Sequence, residues 1–550
     1  MRHAPAVRRA ALAALLAAAC APAATPGGTA TARVRAEAFR HAPRPATRAE
    51  RSGYAETSRH ADVLAFLDTL TAMDGRLFRT TLGRTAEGRD IPLVVASRPR
   101  VTTPAQARAL GRPVVWVQGN IHAGEVEGKE ALQMLLRDLA LDPRPNVLDS
   151  LVLLAVPIYN ADGNEKVGPQ ARQRSAQNGP EEVGQRPNAQ GLDLNRDYIK
   201  AEAPETRASL AAFQQWDPDA FVDLHTTDGS YHGYALTWSP SLHPAAPLRA
   251  FNQDTLLPAL QRRVRERWGV ATFPYGNFAQ DEGVADTTKR GWLTYDHRPR
   301  FGTNYYGLRG KLSILSEAYS HDPFDARVRA TYAFVRELLS QLVEERAHAR
   351  VAAPRPPAEG VLRAALDERA PAGDVIAEDL ERTGDSSRTQ PGVPPGVRRT
   401  GRFRTVRIPV ADRFVATRTA RVPAGGWLLD PSVPGVDSVL ALLRRHGVEA
   451  RHTPGDVPFE VEVFRVDSVV RAARPFQGHR EVRLEGSWRR ERRPPAYGAW
   501  FIRPAQKHAL LALQLLEPES DDGLVTWNLL DGALRPGAEY PVVRIHGTAR

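Results

Sequence analysis

The chain has 550 residues, 42% of them hydrophobic and 25% charged, an ordinary globular composition with length enough for two or three domains with sizeable cores. Its formal charge of +11 comes almost wholly from arginine, since lysine stands only at 129, 166, 200, 289, 311 and 507. These arginines are scattered among acids and no nucleic-acid-binding motif accompanies them, so the basic balance does not argue for a DNA or RNA partner.

The first residues read "MRHAPAVRRAALAALLAAACAPAATPGG". Arg2, Arg8 and Arg9 precede an apolar run from Ala10 to Ala19, and small residues follow. That order predicts an export signal over residues 1–20, with a run too short to anchor stably across a bilayer. Cys20, the only cysteine, directly follows "LLAAA". Two readings stay open: a lipid on Cys20 that attaches the mature chain to a membrane, or plain cleavage nearby. Both predict an exported protein, either free in the periplasm or medium or anchored at the cell envelope. One cysteine cannot form an intramolecular disulfide, so the domains must be stable without one. Residues 21–50, rich in Ala, Pro, Thr and Arg, read as a disordered tether.

From Ala61 the pattern changes. Val63, Phe66, Leu67 and Leu70 recur at helical spacing, and "LFRTTLGRTAEGRDIPLVVASRP" reads as two strands around a glycine-bearing turn. "PVVWVQGN" (113–120) and "SLVLLAVPI" (150–158) are continuous apolar runs, as expected of strands covered on both faces. Ala131, Leu132, Leu135, Leu136 and Leu139 mark a helix between them. Further strands are predicted at "AFVDLHT" (220–226) and "KLSILSEAYS" (311–320), with a helix over about 325–347. Alternation of strand and helix makes residues 51–350 one α/β domain. Residues 351–399, loaded with Pro, Gly, Asp and Arg, read as a linker. Beyond them, alternating segments such as "FEVEVFRV" predict a smaller β-rich domain over 400–550, with a short helix at "SVLALLRRHGVEA".

Three groups of residues carry possible chemistry. His122 and Glu125 lie in "GNIHAGE", just past the carboxyl end of an apolar strand, where α/β sheets tend to place their sites. A catalytic zinc ion uses three protein ligands of imidazole and carboxylate type and leaves one position for water. His225, at the end of "FVDLH", is the best third ligand, because a parallel sheet brings strand ends together. A core histidine satisfied by hydrogen bonds is the alternative there, and His232, His243 and His297 sit in more polar loops. Asp193 is a candidate acceptor that would fix a ligand imidazole's tautomer. Asn195 and Arg196, in "GLDLNRDYIKAEAPETR", form the second group. An arginine fork suits a carboxylate, although Arg196 could instead pair with Asp197 or Glu202. Glu317 forms the third, a charge within the apolar run "LSILSEAYS" that is costly to bury unless paired or useful.

In that order these residues resemble the zinc carboxypeptidase family of the carboxypeptidase A and B type: H-x-x-E, an arginine, Asn-Arg, His, a tyrosine, then Glu. "TLGRTAEGRDIPLVV" and "YNADGNE" (159–165) are also similar to family segments, and the resemblance covers about residues 54 to 345. It implies a mixed, mainly parallel central sheet flanked by helices, one zinc ion on His122, Glu125 and His225, and Glu317 as general base. Asn195 and Arg196 would grip the carboxylate of a peptide substrate with a free C-terminus. The arginine that polarises the scissile carbonyl is expected in "QARQRSAQNG", at Arg174 rather than Arg172, and the mobile tyrosine at Tyr295, with Tyr305 and Tyr306 as rivals. The chain departs from the family pattern at "NRD" and at Gly124, where members often carry an arginine. Arg298 and Arg300, near the loop that lines the family's side-chain pocket, hint at a preference for acidic terminal residues. Two other readings differ in kind: a zinc-dependent deacylase of N-acyl amino acids, and a non-catalytic envelope binding protein. The region after residue 400 carries nothing that reads as catalytic.

Overall fold

A computed structural model of the chain describes residues 44–227, 229–279, 290–345, 359–383, 393, 396–453 and 458–546. The export signal, Cys20 and most of the tether lie outside the described residues. The tether reading does not hold for its last part. Thr47 caps a short helix, Arg48–Arg51, through a reciprocal box with Glu50, and Arg44 bonds Asp138 at 3.1 Å. Ala49 is fully buried. Composition hid this segment because one capping box and one small apolar contact suffice to fix it.

The centre of the molecule is an eight-stranded sheet. Its strands are β1 (Leu77–Arg84), β2 (Asp90–Ala96), β3 (Val114–Gly119), β4 (Val152–Val156), β5 (Ala220–Thr226), β6 (Leu236–Pro240), β7 (Thr272–Pro274) and β8 (Leu312–Ala318). They lie in the order β1-β2-β4-β3-β5-β8-β6-β7. The four central strands, β4, β3, β5 and β8, run parallel. Val115, Val117 and Val222 face one apolar layer, Trp116, Leu154 and Phe221 the other. This alternation on a sheet covered on both sides explains why these strands read as unbroken apolar runs. Helices α1 (His60–Met73), α2 (Glu127–Leu141), α4 (Leu257–Trp268) and α5 (Phe324–Glu344) cover the first face, and α3 (Pro204–Trp216) the second.

Between the two regions the described residues of the expected linker are largely strand. β9 (Glu359–Leu366) pairs with β12 (Phe414–Arg421), and β10 (Ala372–Arg382) with β11 (Val397–Ala411). The β10–β11 hairpin returns to the first region: Trp292 and Leu293 pair with β11, and Val375 and Ala377 bury against Tyr234 and Trp292. Proline and glycine around these strands masked short apolar alternations such as "DVIA".

The last region contains β13 (Trp427–Leu429), α6 (Val436–Arg445), β14 (Ala450–His452), β15 (Phe459–Arg471), β16 (Val482–Arg493), β17 (Trp500–Ile502), α7 (Ala509–Leu516) and β18 (Val542–Ile545). Its sheet runs β14-β17-β13-β18-β15-β16. It does not stand apart. One apolar cluster runs from Trp116, Phe213 and Tyr305 through Leu443 of α6 to Leu511 and Leu515 of α7. Polar contacts seal the same seam: Tyr305 Oη lies 2.8 Å from His446 Nδ1, and Arg309 lies 3.0 Å from His508.

Candidate metal centre and substrate pocket

Two strand ends and one loop build the centre. After β3 the chain turns sharply at Asn120 (φ +64°), whose side-chain amide donates to the carbonyls of Ala123 and Glu125, both at 3.1 Å. This holds His122 and Glu125 over the end of β5. Close approach is required here: a Cβ on Gly128 would stand 2.7 Å from Leu224 Cβ, and one on Gly119 2.9 Å from the Gly128 carbonyl carbon. The glycines let α2 settle onto the sheet.

His122, Glu125 and His225 are buried and come together, with one ligand atom from each within 4.8 Å of the others. Both imidazoles turn the same nitrogen inward. His122 Nδ1 lies 3.0 Å from Glu125 Oε1, and His225 Nδ1 2.9 Å from Glu125 Oε2. Their outer nitrogens face aspartates: His122 Nε2 is 3.0 Å from Asp193, and His225 Nε2 3.1 Å from Asp223. The Asp193 carboxylate behind His122 fixes that ring and its tautomer and leaves the other nitrogen for a metal, while Asp223 sets a negative charge beside His225. Burial alone would raise the Glu125 carboxyl, but His122 and Arg174 outweigh it and hold it well below the usual carboxylate range. Burial likewise opposes charge on His225, yet Asp223 and Glu125 raise it. Two imidazoles crowding one anion are the electrostatics of a cation site, and the donor set fits zinc.

Asp193 is the acceptor the sequence suggested. Asp223 was missed, although it stands two residues before His225 on a strand and therefore shares its face.

Glu317 is beside the centre because β8 and β5 are in register, Glu317 opposite His225 and Leu315 opposite Asp223. Asn195 and Arg196 lie on a short turn after Asp193. Asn195 Oδ1 accepts from the Gly302 backbone at 2.9 Å, and Arg196 stacks 4.0 Å over the Phe301 ring. Asp197 and Glu202 do not pair with Arg196. Lys200 lies 3.4 Å from Asp197 and 3.0 Å from Glu202.

A cavity of about 90 Å³ opens onto the metal centre, lined by the three ligands together with Arg186, Asn195, Arg196, Glu317 and an apolar set of Tyr275, Tyr295, Phe301 and Leu315. Of the three candidate tyrosines, Tyr295 reaches this cavity, and its buried hydroxyl has no hydrogen-bond partner among the described residues. Burial, with Glu317 near, raises its phenol. Tyr305 and Tyr306 are instead fully buried, packed on each other and on Tyr198.

Arg174 does not line the cavity. Its guanidinium lies 3.1 Å from Glu125 Oε1 and donates to the carbonyls of Thr226 and Thr227 at 2.9 and 3.0 Å. Its stem packs where Gly124 lacks a side chain, since a Cβ there would stand 2.7 Å from Arg174 Cγ. Gly124 thus makes room for Arg174. Beside Arg196, the arginine that lines the cavity is Arg186, 3.4 Å from Glu125 and 3.0 Å from Asp193. Its signal is present in "QRPNAQGLDLNR", nine residues before Asn195, whereas the family's spacing points to an earlier arginine. Arg298 and Arg300 do not line it either. Arg298 pairs with Asp296 at 2.5 Å, and Arg300 lies 2.6 Å from Glu481 and 2.9 Å from Asp522.

Residues 63–263 match the family model described as zinc carboxypeptidase. The matched span contains His122, Glu125, Asn195, Arg196 and His225. That part of the chain, under half of it, is similar to the zinc carboxypeptidase family. Its class is that of a metallocarboxypeptidase, a peptide hydrolase. Carboxypeptidase 2 of Trichophyton rubrum is 24% identical over 490 residues, 84% of this chain and 81% of that protein. Carboxypeptidase Z of Mus musculus is 32% identical over 146 residues, 25% of this chain and 21% of that protein. Among solved structures, a metallo-carboxypeptidase from Pseudomonas aeruginosa in complex with (2-guanidinoethylmercapto)succinic acid is similar at 20% identity and a TM-score of 0.36, over 53% of this chain and 69% of that one. One from Burkholderia cenocepacia is similar at 20% identity and a TM-score of 0.36, over 51% of this chain and 68% of that one.

Proposed function

We propose that this metallocarboxypeptidase removes the C-terminal residue of peptides, with one zinc ion on His122, Glu125 and His225 and Glu317 as general base. The observation that carries the reading is the register of β5 and β8, which sets Glu317 beside His225 at the mouth of a cluster of two imidazoles and a carboxylate. Zinc held by these three residues would supply Lewis acidity that makes water more acidic, toward a pKa of about 7. Glu317 takes a proton from the attacking water and later delivers it to the departing amine. Arg186 replaces Arg174 as the guanidinium that meets the developing oxyanion, since it is Arg186 that faces the cavity. Arg174 holds Glu125 from behind.

Arg196 and Asn195 receive the terminal carboxylate, and the unpartnered Tyr295 hydroxyl offers a hydrogen bond to substrate. Tyr275, Phe301 and Leu315 supply an apolar wall for the terminal side chain. With Arg298 and Arg300 committed to Asp296, Glu481 and Asp522, an acidic terminal residue has no partner among them. Apolar C-terminal residues are therefore the expected substrates. The leader of residues 1–20 implies action after export, in soluble form or held to a membrane through Cys20. No helix among the described residues is long and apolar enough to cross a membrane.

The test uses purified protein with metal analysis and paired peptides bearing free or amidated C-termini. One zinc per chain, cleavage of the free form alone, and a fall of about 10²–10⁴-fold in Glu317→Gln with zinc retained are expected. Absence of zinc, or wild-type turnover by Glu317→Gln, sinks the reading. Hydrolysis of acyl amino acids without peptide cleavage would move the substrate to that class.

A further inference from the structure

The β15–β16 hairpin of the last region is long, and its tip reaches the backbone of Asp193, behind the metal centre of the first. Beyond the Arg471–Val482 pair the hairpin closes at Phe476 and His479, which exchange backbone hydrogen bonds of 2.7 and 3.0 Å around Gln477 and Gly478. Both turn residues have positive φ, +49° and +81°, as a tight hairpin turn requires. Glycine takes that conformation freely; glutamine does so at a cost. The Gln477 side chain is put to use. Its Oε1 accepts the backbone N–H of Asp193 at 2.9 Å. Asp193 is the aspartate behind His122, and its carboxylate also caps the Asn195 amide at 2.9 Å and meets Arg186 at 3.0 Å.

Two more contacts bind the tip to the same wall. His479 lies 2.8 Å from Glu202, six residues past Arg196. Glu481, at the foot of the loop, lies 2.6 Å from Arg300, which precedes Phe301 and Gly302. Gly302 in turn holds Asn195. Both segments that shape the pocket, 193–202 and 300–302, are thus clamped by one loop of the last region.

We propose that Gln477 is a positioning residue of the metal centre: by fixing the Asp193 backbone it sets the carboxylate that orients His122. The accessory region therefore completes the active site rather than merely accompanying it. This rests on the zinc reading above.

The experiment compares the full chain with Gln477→Gly and Gln477→Met. Gln477→Gly removes the acceptor while relaxing the turn. Gln477→Met keeps the reach but not the oxygen. Zinc affinity is measured by competition with a chelator, and the visible spectrum of the cobalt-substituted protein reports ligand geometry. Both variants are expected to bind zinc about five- to ten-fold more weakly, with altered cobalt bands. Arg471→Ala, which breaks an exposed pair with Asp531 in the same hairpin, is expected to leave both readouts at wild type. Wild-type zinc affinity and spectrum in Gln477→Gly and Gln477→Met would overturn the proposal while leaving the hydrolase reading intact. If the wild-type chain binds no zinc, both fall.

Discussion

The two regions of the molecule use β structure in opposite ways. In the first, β3, β4, β5 and β8 are buried along their whole length, and chemistry sits at their ends. In the last, β15 and β16 alternate buried and exposed positions, and the contribution to the site comes from a turn. A parallel strand end can hold ligands by itself, because its neighbours are fixed by sheet register. A hairpin tip matters only through what it touches. The first region would therefore be expected to show its site in sequence and the last to hide it.

The largest effect should come from separating them. A chain ended at residue 345 would bare Tyr305 and Phe213 and leave Arg300 and Arg309 without Asp522, Glu481 and His508. Buried guanidinium groups stripped of partners are strongly destabilising. Expression of that fragment should give insoluble or inactive protein. A soluble, active fragment would break the comparison, making the last region an independent module.

Next in size is a pair of substitutions within the first region. Arg186→Ala is expected to lower kcat/KM by about 10²–10³-fold with little change in Tm, since it removes a charge from the cavity rim. Arg174→Ala is expected to cost about 1–3 kcal/mol of stability, because it takes from buried Glu125 its nearer guanidinium and leaves the two imidazoles and Arg186. Measuring Tm and kcat/KM on both variants separates the roles. Full turnover by Arg186→Ala, with loss confined to Arg174→Ala at unchanged Tm, would return the oxyanion role to Arg174.

These two arginines also show what the sequence could and could not say. His122, Glu125, His225, Asn195 and Glu317 were legible because each sits on or next to an apolar strand or in a compact motif, so local pattern implies position. Which arginine faces the cavity was not, because Arg174 and Arg186 both lie in an irregular stretch between residues 166 and 192, where chain distance does not set spatial distance. The sheet of the first region was legible for the same reason as its ligands. The shared core was not: the apolar faces of α6 and α7 show that they are covered, not by what. Gln477 offered no signal at all, since an exposed-looking "PFQGHRE" turn is ordinary hairpin chemistry until its neighbour is known.

A middle-sized test addresses that shared core. Leu511, fully buried on α7, belongs to the cluster that also holds Trp116 and Phe213. Leu511→Ala should cost about 2–5 kcal/mol. If the regions share one core, denaturant midpoints followed by activity and by tryptophan fluorescence should shift together. Activity surviving to the wild-type midpoint while fluorescence shifts would show that the core is divisible.

The smallest expected effect concerns the fastener at the hairpin tip. The Glu202 hydrogen bond raises His479 above its usual 6.5. On Glu202, burial pushes upward but His479 and Lys200 outweigh it, bringing the carboxyl down from 4.5 to about 2. Lys200 at 3.0 Å from Glu202, Asn528 at 3.2 Å from His479 and the edge of Trp527 complete the surroundings. A raised histidine stabilises fully below pH 6.5 and loses that contribution as pH rises through its folded value. A depressed carboxylate stabilises above pH 4.5 and loses its contribution as pH falls toward 2. The pair is therefore complete between about pH 4.5 and 6.5, and raising pH from 5.5 to 8 should weaken it. Because Glu202 is partly solvated, the change should stay under about 1 kcal/mol. Denaturation midpoints at the two pH values should separate less in His479→Gln than in wild type. Equal separation would mean that the pair does not hold the hairpin, leaving Gln477 and the Arg300 cluster as the contacts that join the last region to the metal centre.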